Sequence, residues 1–117
     1  EAYPGPSIII AYSQCIAHGI DMSQGMNQQK LAVESGYWTM YRFNPALIKQ
    51  GKNPLKLDSK EPKRHVREYA LNETRFTILN RINPDLAEHY LQEADQDAKE
   101  RFAYYSQLAD ISYEEVK

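Results

Sequence analysis

The sequence predicts an α/β fold: a small parallel strand–helix–strand portion followed by a C-terminal helical extension. Three observations carry this expectation. Residues 7–12 form a short, β-branched apolar run, the pattern of a strand buried on both faces. A helical stretch that stops at Gly36 separates that run from residues 37–43, which are rich in aromatic and strand-favouring side chains. From Val66 onward the apolar spacing is helical and stays so to about Ile111.

Each element follows from local chemistry. Pro4-Gly5-Pro6 breaks the chain before the first strand, and residues 13–19 read as a loop after it. Ser23 is the expected cap of a helix running through Met26, Leu31 and Val33, with Gly36 as its stop. Asn44-Pro45 ends the second strand. Strand, helix, strand in that order reads as a crossover unit, and hence as a parallel pair. Residues 50–62 are polar, with Gly51, Pro54 and Pro62, and read as an extended surface loop. Two short helices are predicted over 66–72 and 74–82. Asn83-Pro84 is a cap with a first-turn proline, opening a long helix to about Ile111. Its apolar stripe is Ala87, Tyr90/Leu91, Ala94, Ala98, Phe102, Tyr105 and Leu108/Ala109, explained by packing. Asp95–Lys99 and Asp97–Arg101 are i,i+4 pairs with the acid first, worth about 0.2–0.5 kcal/mol each.

Composition narrows the function classes. The length suits one domain, and 42% hydrophobic with 26% charged residues is ordinary for a globular chain. The net charge is −2, which argues against a polybasic, nucleic-acid-binding protein. The charge is unevenly spread: nine bases face four acids over 49–83, and three bases face nine acids from Pro84 onward. The basic middle is a candidate phosphate contact, but Asp58, Glu61 and two prolines interrupt it, so a solvated or inter-domain loop is the simpler reading. The longest purely apolar run, residues 8–12, is far short of the roughly 20 residues a membrane helix needs, and no basic segment precedes it. One cysteine, Cys15, excludes an internal disulfide framework and fits a reducing, cytoplasmic setting. A chain that starts at Glu1 rather than Met is expected to be a piece of something longer.

The chemistry-bearing residues are few. Cys15 lies just past the first predicted strand, where ligands gather in open α/β sheets. Its other reading is a small buried apolar residue. Cys15-x-x-His18 is half of a zinc site, but no second Cys exists and His65 and His89 do not pair, so a self-contained zinc site is not expected. A self-contained iron–sulfur site fails on the thiolate count. The sequence has no nucleophile elbow, P-loop, Rossmann glycine fingerprint, zinc-protease motif, or Gly-Asp-Gly motif. The carboxylates of the last helix sit among bases and read as a solvated face. No catalytic residue is predicted.

Read in full, Tyr3-Pro4-Gly5-Pro6-Ser7-Ile8-Ile9-Ile10-Ala11-Tyr12-Ser13-Gln14-Cys15-Ile16-Ala17-His18-Gly19 resembles a segment near the C-terminus of pyruvate:ferredoxin (flavodoxin) oxidoreductases. So do Gln28-Gln29-Lys30-Leu31-Ala32-Val33-Glu34-Ser35-Gly36-Tyr37-Trp38, Tyr41-Arg42-Phe43-Asn44-Pro45, Gly51-Lys52-Asn53-Pro54 and Leu57-Asp58-Ser59-Lys60-Glu61-Pro62, in the same order and spacing. Glu73-Thr74-Arg75-Phe76 and Asp97-Ala98-Lys99-Glu100-Arg101-Phe102 extend the likeness into the tail. The family usually has Ser-Pro-Cys where this chain has Ser13-Gln14-Cys15.

The resemblance implies a part of a large homodimeric enzyme that oxidatively decarboxylates pyruvate on thiamine diphosphate and Mg2+. Such an enzyme passes electrons through 4Fe–4S clusters to ferredoxin or flavodoxin and forms acetyl-CoA from coenzyme A. It implies that residues 1–56 are the last part of the thiamine-diphosphate-binding α/β domain, and residues 57–117 a loop and helical extension. It also implies that Cys15 is a cluster ligand in the parent enzyme, with His18 able to donate toward a cluster sulfur. The isolated chain is then expected to be inactive and to bind no cofactor, with no nucleic-acid or membrane partner. A rival reading is a stand-alone α+β protein-interaction module. Few neighbours are available within this chain for a strand at 7–12, so an exposed apolar surface or self-association is expected there.

Overall fold

A helix of 26 residues, α4 (Pro84–Ala109), is the spine of the molecule. Asn83 starts it: its side-chain oxygen accepts a hydrogen bond from the Leu86 N–H at 3.1 Å, and Pro84 occupies the first turn. The computed structural model describes residues 3–114, so Glu1 and the last three positions of the range 57–117 lie outside the described residues. Three shorter helices precede the spine: α1 (Gly25–Glu34), α2 (Val66–Ala70) and α3 (Thr74–Ile82). The whole is elongated, 60 × 27 × 20 Å.

The last two short helices and the long one stand where the apolar spacing predicts them. The start of α1 differs. Ser23 is not its cap; Asp21 accepts from the Ser23 N–H at 2.9 Å and caps a single 3-10 turn that leads into α1. The predicted stop holds: Gly36 takes φ +74° and its N–H bonds back to Val33.

The expected parallel strand–helix–strand unit does not form. Residues 7–12 belong to no strand and have no strand partner among the described residues. The second predicted strand shortens to β1 (Tyr41–Phe43). Its partner is β2 (Leu55–Leu57), which lies inside the stretch read as a loop, and the two pair antiparallel with Arg42 opposite Lys56. The physical reason is local. The connection between β1 and β2 is short, a 3-10 segment (Pro45–Gln50) capped by Asn44, and a short return favours antiparallel pairing. Asn53 then ties this hairpin to the spine, donating from Nδ2 to the carbonyls of Leu108, Ala109 and Ile111 at 2.8–2.9 Å, where the last turn of α4 lacks partners.

The core sits where α2 packs against α1 and α4. Ala32, Tyr69 and Ala70 are buried, with Tyr12, Leu31, Tyr37, Trp38, Phe76 and Leu91 packed around them. Of the predicted stripe on α4, Ala87 and Ala98 are fully buried and Tyr90 points outward, leaving Leu91 to pack. Small residues are needed at one crossing. A Cβ on Gly36 would stand 2.8 Å from Pro62 Cγ and 3.4 Å from Ala98 Cβ. Of the two predicted ion pairs on α4, Lys99 reaches Asp95 at 3.3 Å. Arg101 leaves Asp97 and donates instead to the carbonyl oxygens of Gly36 and Tyr37, at 3.0 and 3.4 Å.

Candidate functional site

The loop that carries Cys15 begins where the segment 7–12 first touches the core. Ile8, Ile9 and Ile10 are 88%, 92% and 75% exposed, so the apolar surface expected at this run is present. Tyr12 is the first residue to pack. Its ring stacks on Trp38 with centroids 5.4 Å apart and meets Tyr37 edge-on at 6.0 Å. Its hydroxyl shares a hydrogen bond with the Tyr69 hydroxyl.

Two residues later Gln14 turns back inward. Its amide nitrogen lies against Gly25, where an added Cβ would come within 2.5 Å of it. Cys15 follows as an exposed free thiol that leads into a 3-10 turn, Ile16–His18. The bland reading of Cys15 as a buried apolar residue is therefore not what this chain adopts. The turn closes with the His18 N–H on the Cys15 carbonyl at 2.9 Å and with Gly19 at φ +72°. The Gly19 carbonyl accepts from both the N–H and the hydroxyl of Thr74, each at 3.0 Å. A side chain at Gly19 would meet Thr74 within 2.5 Å, so the close approach and the left-handed backbone both call for glycine.

Beneath the loop lies a buried polar cluster. Glu73 is fully buried; Gln28 Nε2 donates to its Oε1 at 3.0 Å and Arg75 Nε to its Oε2 at 2.5 Å. The other end of the Arg75 guanidinium donates to three tyrosine hydroxyls: Tyr69 at 3.1 Å, Tyr37 at 3.4 Å and Tyr12 at 3.5 Å. Its carbon stands 4.5 Å above the Phe76 ring. Burial, then the bond to Tyr12 and the nearby Glu73 charge, hold the Tyr69 hydroxyl well above the usual tyrosine range. For Arg75 burial opposes the charge, but the Glu73 bond and its surroundings outweigh it and raise its pKa.

His18 turns toward this cluster. Its Nδ1 is buried without a hydrogen-bond partner and stands 3.9 Å from Glu73 Oε2. The other histidines lie on helix surfaces, His65 with Asp95 at 2.6 Å and His89 with Glu93 at 3.3 Å. Bases of the middle segment pair with acids: Arg42 with Asp58, Arg64 with Glu68 and Arg67 with Glu88. A polar cleft of about 400 Å³ runs past Asp21, Gln24, Lys30, Glu34 and Arg64; neither Cys15 nor His18 lines it. Among the described residues no group of three or more His, Cys, Asp or Glu side chains is placed to hold a metal ion. Cys15 is the one cysteine of the sequence, and its thiol is exposed.

The sequence singled out Cys15 and His18 but not the cluster beneath them. Glu73 and Arg75 are two apart, a spacing that carries no helical pairing signal. They stand out in the sequence only through the resemblance of Glu73-Thr74-Arg75-Phe76.

No protein-family model matches the chain. It is 53% identical over 109 residues to a pyruvate-flavodoxin oxidoreductase of Trichormus variabilis, covering 93% of this chain and 9% of that protein. It is 46% identical over 110 residues to the pyruvate:ferredoxin oxidoreductase of Moorella thermoacetica, covering 94% and 9%. It is 42% identical over 109 residues to a probable pyruvate-flavodoxin oxidoreductase of Escherichia coli, covering 93% and 9%. By this shared sequence the chain belongs to the pyruvate-flavodoxin and pyruvate:ferredoxin oxidoreductase family, and it spans about a tenth of the length of the curated relatives it matches.

Proposed function

We propose that this chain works as a segment of an oxidoreductase that decarboxylates pyruvate to acetyl-CoA and delivers electrons to ferredoxin or flavodoxin. In that enzyme Cys15 supplies one thiolate to a 4Fe–4S cluster. The single observation behind the reading is the shared sequence, 42–53% identical across 93% of the chain in relatives that carry those names. Residues 1–56 then belong to the thiamine-diphosphate-binding domain, and residues 57–117 are its loop and helical extension. The remaining cluster thiolates and the Mg2+ and thiamine ligands come from the rest of the parent polypeptide, which also forms the homodimer and takes up coenzyme A. When bound, the thiamine supplies the decarboxylation chemistry and the clusters one-electron transfer.

The part played by this chain's own residues is to present and hold. Tyr12 and Gly19 bracket the loop, and Cys15 projects outward from it. The exposed Ile8, Ile9 and Ile10 give the parent an apolar edge to cover. A reducing cytoplasm suits a chain whose one cysteine is free.

The test is Cys15→Ser in the full-length enzyme, read by iron content and reduced-state EPR. Hydroxyl oxygen is a poorer iron ligand than thiolate, so the expected result is a weakened or lost cluster and a sharp fall in acceptor reduction. An unchanged cluster count with unchanged acceptor reduction would return Cys15 to a structural role.

A further inference from the structure

We infer that Glu73, Thr74 and Arg75, at the start of α3, are the positioning residues of the Cys15 loop. The functional consequence rests on the proposed ligand role of Cys15; the anchoring itself does not. These three consecutive residues reach the loop on both of its sides, 55 to 63 positions away in sequence. On the entry side Arg75 donates to the Tyr12 hydroxyl and, more closely, to the Tyr69 hydroxyl with which Tyr12 shares its bond. On the exit side Thr74 donates twice to the Gly19 carbonyl, and the Glu73 carboxylate faces the His18 ring.

Among the described residues upstream, none of the three isoleucines holds the loop. Ile8, Ile9 and Ile10 stand in solvent, so the core takes hold of the segment only at Tyr12. The anchors are themselves held stiffly. Glu73 is fully buried between Gln28 and Arg75, and moving it would strand a charge away from water. A thiolate carried on a loop pinned at both ends has a defined position and direction, and those govern its bond to iron and the hydrogen bonds its sulfur receives.

Cys15 is the one cysteine of the sequence, so a nitroxide label placed there reports this loop alone. The experiment labels the 117-residue chain and compares it with Thr74→Pro, Thr74→Ala, Thr74→Ser, Arg75→Lys and, as a control on a remote surface pair, Arg67→Lys. Far-UV circular dichroism and thermal unfolding check each fold. The expected result is loss of the immobilised component of the spectrum in Thr74→Pro, Thr74→Ala and Arg75→Lys, its retention in Thr74→Ser, and no change in Arg67→Lys. Should Arg75→Lys fail to fold, Thr74→Pro decides, since proline suits the first position of α3 and removes both donors to Gly19. An unchanged spectrum in a folded Thr74→Pro overturns the inference.

The same Thr74→Pro change in the full-length enzyme separates the two claims. A shifted cluster potential or altered g-values at full iron content support positioning. Loss of the cluster in Cys15→Ser with an unshifted potential in Thr74→Pro would leave the ligand role standing and remove the positioning role. Full iron content in Cys15→Ser would remove the ligand role, while the label still decides the anchoring.

Discussion

The segment before Cys15 and the seam between α1 and α2 invert the usual distribution of side chains. In the first, three isoleucines in a row stand in water. In the second, Gln28, Ser35 and Glu73 are among the largest fully buried side chains, alongside Tyr69. Hydropathy alone would exchange them. What decides is whether each group finds its partner inside this chain. Gln28 donates to Glu73 and to the Tyr69 carbonyl, its own oxygen accepts from Asn72, and Arg75 closes the network. A satisfied polar network can stay dry. The isoleucines have no such company, because a strand buried on both faces needs neighbours on both edges and both faces. One region finds its partners within the chain, and the other stands uncovered.

The contrast can be broken most severely at its closed end. Tyr69→Ala removes a fully buried ring that stacks on Tyr37 at 4.3 Å and takes a hydrogen bond from Arg75. Truncating a large buried aromatic costs about 3–5 kcal/mol, so urea denaturation of the chain should lose most of its folded baseline. Tyr69→Phe keeps the packing and drops only the hydroxyl, for about 1 kcal/mol. Equal losses in the two variants would mean that the tyrosine hydroxyls, not the packing, hold the seam.

A smaller effect comes from Asp95, a hydrogen-bonded carboxylate on α4. Burial would raise its pKa, but hydrogen bonds from His65, the Val66 N–H and Lys99 outweigh that and hold it below the ordinary carboxylate value of 3.8. A carboxylate depressed in the folded state adds stability above its unfolded pKa and loses it as pH falls through the folded one. The thermal midpoint should therefore drop as the solution is acidified below about pH 4. Asp95→Asn should start lower and show a shallower acid decline. Parallel midpoint-versus-pH curves for wild type and Asp95→Asn would contradict this.

The smallest effect belongs to the open region and sharpens the comparison. Ile9→Ser changes a residue that is 92% exposed, so the stability of the isolated chain should move by less than about 0.5 kcal/mol. Its association should fall, seen as a lower apparent mass by light scattering. In a full-length enzyme the same change should lower expression or thermal stability. A cost in the isolated chain as large as that of Tyr69→Phe would mean that residues 7–12 already pack within it.

The sequence by itself determined the elements whose signals are local. The Asn83-Pro84 start of α4, the bounds of α3 and the glycine stop at Gly36 depend on backbone groups within a few residues of each other. The place of the one cysteine in a loop just beyond an apolar run was legible too, but not its exposure, because the spacing suits a small buried residue equally well. Only the tertiary structure decided which strand pairs with which. Residues 37–43 carry a strand propensity but no record of their partner, and the hairpin to Leu55–Leu57 formed because that segment was near and returning. The tripeptide under the Cys15 loop was decided in the same way. Glu73, Thr74 and Arg75 acquire their partners Gln28, Gly19 and Tyr12 only when the start of α3 lands beside residues 12–28, because hydrogen bonds between groups 45 to 63 residues apart leave no period in the sequence.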